Sequence, residues 1–180
     1  MERKSALTRE EFMGPNWDGA GYGQEFASLP IPPMLMFDRI TLVSKDGGKY
    51  GKGVVEAELD VNPDLWFFHC HFVGDPVMPG CLGLDALWQM LGFFLSWSGN
   101  KGKGRALGVK EVKFRGEILP TSKLVRYTVD IKRMITGRLV MGVGDGTVEV
   151  DGKKVYSAEG IKVGLFDPAK RQQGLDACAE

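Results

Sequence analysis

The chain has 180 residues and a mass of 19.8 kDa, enough for one domain with a real core and too little for two full ones at roughly 100–200 residues per domain. Hydrophobic residues make up 43% and charged residues 26%, which excludes intrinsic disorder and low-complexity fibres. Lys plus Arg number 23 and Asp plus Glu number 23, so no net positive field draws the chain to nucleic acid or to an anionic membrane, and a charged partner must be met by a local patch.

Residues 1–33 read as an N-terminal helix and loop of a single domain spanning 1–180. Met1-Glu2-Arg3-Lys4 and the polar stretch after it lack the apolar core of a secretory signal. Residues 6–13 predict a short amphipathic helix, with Ser5 as its cap and Gly14-Pro15 as its stop. Two strand-like runs follow, Met34–Ser44 and Tyr50–Val61, and Asp46-Gly47-Gly48 between them has hairpin chemistry.

After Met78-Pro79-Gly80, apolar residues at Leu84, Leu87, Trp88, Leu91, Phe94 and Leu95 recur at helical spacing. Leu82, Ala86, Met90 and Phe93 fill the other faces, so this helix is expected to be buried on most sides. Its greasiest part, Leu87 to Trp97, is about half the ~20 residues a bilayer span needs. Ser98-Gly99-Asn100 ends it, and Lys101–Gly104 reads as a basic turn.

The period then changes to two. Val125, Tyr127, Val129 and Ile131 alternate with polar residues, and the runs Ala106–Ile118, Arg138–Val150 and Lys153–Phe166 look similar. Asp151-Gly152 is a second hairpin turn, Gly142-Val143-Gly144 a bend or bulge, and residues 168–180 a frayed tail. Together these elements predict an α+β domain, a strongly curved antiparallel sheet wrapped around one long helix, whose open edges favour edge-to-edge dimers. Three cysteines, Cys70, Cys81 and Cys178, cannot all pair within the chain and suit a reducing cytoplasm.

The only two histidines, His69 and His71, fall in one aromatic-rich segment that ends at Pro79-Gly80. Histidine's ordinary pKa of about 6.5 makes it a base near neutrality. Asp85 stands inside the apolar helix, where an unpartnered carboxylate is expensive to bury, and Gln89 shares its face one turn on. The Gly80 and Cys81 amides at the helix N-terminus are free to bind a developing oxyanion. A base, an acid and an oxyanion donor are what it takes to remove a proton alpha to a thioester carbonyl and expel a beta hydroxyl. To serve as the acid, Asp85 must hold its proton, which desolvation on an apolar face favours.

The run from Trp66 through His71 to Asp75-Pro76-Val77-Met78-Pro79-Gly80, with Asp85 and Gln89, resembles the bacterial 3-hydroxydecanoyl-(acyl-carrier-protein) dehydratase/isomerase family. The resemblance extends to Leu107-Gly108-Val109, Lys113-Phe114-Arg115-Gly116 and Lys162-Val163-Gly164-Leu165-Phe166. It implies a hot-dog fold, a homodimer with two shared active sites, no cofactor and an acyl-carrier-protein substrate in unsaturated fatty-acid synthesis. Carried over by position, His71 is the base, Asp85 of the partner subunit the acid, the Gly80 amide the carbonyl donor and Gln89 the residue that orients Asp85. Asp rather than Glu at position 85 resembles the bifunctional members, which also convert the trans-2-enoyl to the cis-3-enoyl thioester.

Blander readings stand beside these. His69 is expected to pack or to make a structural hydrogen bond. Strand geometry would turn Cys70 away from both histidines, and no paired CxxC spacing supports zinc. Cys81 has a helix N-terminus to activate it, yet elimination needs no covalent intermediate, so wall packing is its expected role. Lys132, Arg133, Arg138 and Lys162 are either a solvated face or the patch that receives an acidic carrier protein. A thioesterase of the same fold and a non-catalytic acyl-binding module are the competing functions.

Overall fold

The computed structural model describes residues 3–13, 23–137 and 139–167. The expected Gly14-Pro15 stop, the frayed tail at 168–180 and Arg138 lie outside these residues. Short helix α1 covers Arg9–Met13, β1 Arg39–Ser44, β2 Val54–Asp60, long helix α2 Gly80–Trp97, β3 Lys103–Gly108, β4 Glu111–Phe114, β5 Leu124–Ile135, β6 Val140–Val150 and β7 Lys153–Phe166. The strands form one antiparallel sheet in the order β1-β2-β5-β6-β7-β3, and β4 also pairs with β7.

The sheet curves around α2. Leu87, Met90, Leu91 and Leu95 are sealed against it, and complete burial of each such side chain contributes about 1.5–3 kcal/mol. The strands leave room for them: a Cβ on Gly146 would sit 2.4 Å from Leu87 Cδ1, and one on Gly142 2.9 Å from Leu91 Cδ1. Glycine in β6 therefore lets leucines of α2 rest on strand backbone. A register shift between Gly144 and Gly146 against β7 is the bulge expected in this stretch. At the β6–β7 turn Asp151 and Gly152 both have positive φ, 48° and 80°, as a two-residue type I′ hairpin demands.

Several expectations are corrected. Helix α1 starts at Arg9 rather than residue 6, because Leu7 exchanges both backbone hydrogen bonds with Ile40 and the Ser5 carbonyl accepts from Val43. The cap is Thr8, whose amide donates to Glu11 Oε2 at 2.8 Å, half of a capping box. Strands β1 and β2 are shorter than the apolar runs, and their connection is wider than Asp46-Gly47-Gly48, with Gly47, Gly48, Gly51 and Gly53 all at positive φ.

Lys103 and Gly104 belong to β3 rather than to a basic turn. The run 106–118 is not one strand. It breaks after Gly108, where φ is 148°, and Gly160 of β7, at 63°, lies across from the gap, so β3 and β4 line the same edge of β7 end to end. Trp66–His69 is a 3-10 turn instead of an extended segment: the Phe67 carbonyl accepts from both the Cys70 and His71 amides, and Phe67 and Phe68 are buried. The strand argument for Cys70 therefore does not apply.

Candidate active site

His71 emerges from that 3-10 turn into a closed loop. Its carbonyl accepts from the Val77 amide at 2.8 Å, Phe72 and Asp75 exchange hydrogen bonds at 2.9 and 3.1 Å, and the Met78 amide is held by the Ile118 carbonyl at 3.0 Å. The imidazole Nδ1 lies 2.8 Å from the Val77 carbonyl oxygen. A carbonyl only accepts, so Nδ1 carries the proton and Nε2 keeps a free lone pair. His69 ends exposed, and Cys70, also exposed, turns its thiol to the Trp66 and Phe67 carbonyls at 3.6 Å each. Among the described residues no three His, Cys, Asp or Glu side chains converge as a metal cluster would need.

Two residues after Met78 the chain enters α2, with Pro79 as N-cap. Gly80 and Cys81 thus supply first-turn amides with no acceptor inside the helix, at its positive end. His71, Gly80 and Cys81 share a cavity of about 360 Å³ with Phe114, Glu117 and Tyr156. A Cβ on Gly80 would lie 2.6 Å from Phe114 Cε1, so the missing side chain makes room for the Phe114 ring. Gly83 does the same for Tyr156, whose Cε2 would be 2.6 Å from an added Cβ. Phe114 and Tyr156 meet edge to face at 5.0 Å.

Asp85 is placed elsewhere. Five residues beyond Gly80 it is turned about 140° around a helix of 3.6 residues per turn, and it lines a separate cavity of about 240 Å³ with Gln89, Trp88 and Arg105. Gln89 Nε2 donates to Asp85 Oδ2 at 2.6 Å and to the Met34 carbonyl at 2.8 Å, and its Oε1 accepts from the Met36 amide at 3.2 Å. Gln89 is therefore fixed at both ends of its amide. Asp85 is half-buried and held in one orientation.

Of the basic residues, Arg133 and Lys162 are exposed and face out along one cross-strand row through Val143. Lys132 is engaged otherwise, 3.6 Å from Asp145 and over the Tyr50 ring. Sequence reading missed Phe114, Glu117 and Tyr156. Tyr156 occupies a buried position in β7, and Phe114 and Glu117 follow a strand break that composition does not mark.

Among the described residues no helix is long and apolar enough to cross a membrane. A family model described as FabA-like domain matches residues 29–159. The dehydratase heterocomplex ApeI:P from Xenorhabdus doucetiae has a similar fold, with a TM-score of 0.62 and 14% identity over 81% of this chain and 92% of that one. A hypothetical thioesterase with coenzyme A from Streptococcus pneumoniae TIGR4 gives 0.51 and 12% over 71% and 84%. These likenesses establish the hot-dog fold, one sheet curved around a long helix, and do not by themselves choose a reaction. With the family model covering most of its length, the chain belongs to the FabA-like domain family.

Proposed function

We propose that this protein dehydrates 3-hydroxyacyl thioesters borne by an acyl carrier protein, 3-hydroxydecanoyl among them, to trans-2-enoyl thioesters and isomerises these to cis-3-enoyl thioesters. The observation that carries the reading is the His71 lock. Nδ1–H is spent on the Val77 carbonyl, and the imidazole opens on the cavity that also holds the Gly80 and Cys81 amides.

The thioester carbonyl binds those amides, which acidifies the alpha carbon. His71 Nε2 takes the alpha proton, the released pair forms the alpha–beta double bond, and the beta hydroxyl leaves as water with a proton from a carboxylic acid. Asp85 of the partner subunit fills that last role, and Gln89 aims it. Isomerisation uses the same base: His71 removes a proton from C4 and returns one to C2. Two copies joined along the β3–β4 edge form the homodimer. That edge carries Leu107 at 44% exposure and Phe114 at 54%, more apolar surface than a lone edge strand should show to water. Arg133 and Lys162 are the described cations of the proposed carrier-protein patch. The reaction requires no cofactor, and the protein acts in the cytoplasm.

A second carboxylate, Glu117, lines the His71 cavity itself, and a carboxylate there is placed to activate water for thioester hydrolysis. Product analysis separates the two. The protein is incubated with 3-hydroxydecanoyl thioester, the decenoyl isomers are resolved and free thiol is titrated in the same sample. Both isomers without thiol are expected. The trans-2 product alone reduces the reading to a plain dehydratase, and thiol release moves it to hydrolysis.

A further inference from the structure

Tyr156 as a whole is only 4% exposed, yet its hydroxyl is not among the side-chain oxygens sealed from solvent without a partner, and the residue lines the His71 cavity. Tyr127 makes the contrast. It stands in the same cross-strand row, Ala57, Tyr127, Val148, Tyr156 and Phe114, and its hydroxyl is sealed from solvent with nothing to bond. Tyr156, two strands nearer the β4 edge, borders the cavity of His71, Gly80 and Cys81.

Its ring is gripped from two sides. Gly83, one turn inside α2 from the free amides, leaves the space that the Tyr156 ring fills, and the Phe114 ring closes the other side at 5.0 Å. Such a clamp holds a phenol in one place, as an oxyanion donor must be held. Burial, with Glu117 and Cys81 nearby, pushes the phenol up to about 12, so it remains a neutral O–H donor throughout the working pH range.

We infer that the Tyr156 hydroxyl is a further donor to the thioester carbonyl, joining the Gly80 and Cys81 amides at the polar end of the His71 cavity. The inference rests on the thioester reading above. It makes Tyr156 a catalytic residue by contact with the reacting carbonyl, and it assigns a purpose to the glycine at position 83.

The test is Tyr156→Phe, which keeps the ring and its packing, with Tyr127→Phe as the control that removes the sealed hydroxyl. Binding is measured with two unreactive probes, the decanoyl thioester of N-acetylcysteamine and the matched decyl thioether, which lacks the carbonyl. In Tyr156→Phe, thioester binding is expected to weaken by about ten-fold, as for one lost hydrogen bond, and thioether binding to stay unchanged. Tyr127→Phe should alter neither, Tyr156→Phe should melt with the unaltered protein, and Tyr127→Phe should melt no lower than it. Equal weakening for both probes, weakening for neither, or no thioester binding by the unaltered protein overturns the inference. Because these probes cannot eliminate water, the result stands apart from whether 3-hydroxydecanoyl thioester is dehydrated. Where it is, the kcat of Tyr156→Phe should fall by about 10²-fold, the usual effect of losing one oxyanion donor.

Discussion

His71 and Asp85 stand in one motif but open on different cavities of the same chain, His71 beside the first-turn amides of α2 and Asp85 beside Trp88 and Gln89. A base and an acid that must act across one alpha–beta bond cannot do so from separate cavities. In the proposed homodimer, pairing two copies about a two-fold axis would supply the missing acid from the neighbour, twice over. His71→Ala and Asp85→Asn should each abolish turnover and leave melting nearly unchanged. Mixed one to one and allowed to exchange subunits, the two inactive variants should recover about a quarter of the normal rate, since half the dimers are mixed and each mixed dimer keeps one intact site. No recovery after verified exchange would place both residues' action within one chain.

Gln89 offers a separate test of what aims the acid. Its amide bridges Asp85 and the backbone at Met34 and Met36, so Gln89→Glu keeps the length and the acceptor but removes the donor to Asp85. A second carboxylate then faces the first at hydrogen-bond distance. The expected result is a fall in kcat of about 10–100-fold from misorientation, with KM little changed. An equal loss in a purely binding assay would assign Gln89 to substrate affinity instead.

How much of this was legible in the sequence follows from what fixes each element. Helix α2 could be read because its apolar residues run all round and its ends are marked by Pro79-Gly80 and Ser98-Gly99. The strand pattern at 125–131 gave β5 for the same reason. The 3-10 turn at Trp66–His69 could not, since four aromatic and polar residues fit a turn or a strand equally well and only the burial of Phe67 and Phe68 decides. The break between β3 and β4 falls where Gly108, paired with Lys162, ends β3 and Gly160 of β7 lies across from the gap, far away in the chain. For the site, residue chemistry alone picked out His71, Gly80, Asp85 and Gln89. Their division between two cavities, and the approach of Phe114 and Tyr156 to glycines of α2, are facts of packing that local pattern does not carry.

The fit of β6 against α2 can be measured through Gly146. A Cβ there would lie 2.4 Å from Leu87 Cδ1 and 3.0 Å from its Cδ2, and Leu87 is 1% exposed. Gly146→Ala should therefore destabilise the protein by about 1–3 kcal/mol, the usual cost of an added methyl in a packed core. Denaturant unfolding provides the measurement. Trimming the obstacle, Gly146→Ala with Leu87→Val, should return part of the loss, and two fully additive losses would mean the two residues do not touch.

Asp145 supplies a pH-dependent prediction on the outer face of the sheet. Burial alone would push its carboxyl up, but a hydrogen bond from the Tyr50 hydroxyl, the Gly160 amide at 2.9 Å and the Lys132 ammonium outweigh it and hold the group below its ordinary value. A carboxylate depressed on folding stabilises the native state above its unfolded pKa of about 4 and loses that contribution as pH falls through the lower folded value. The Asp145 side chain is only 14% exposed, so solvent screens these bonds little. Asp145→Asn should cost about 1–3 kcal/mol at neutral pH, as for hydrogen bonds to a charged group. The gap between variant and unaltered protein should close as pH drops below about 4. A gap that stays constant from pH 7 to pH 3 would show that the amide's shape, rather than the lost charge, accounts for the cost.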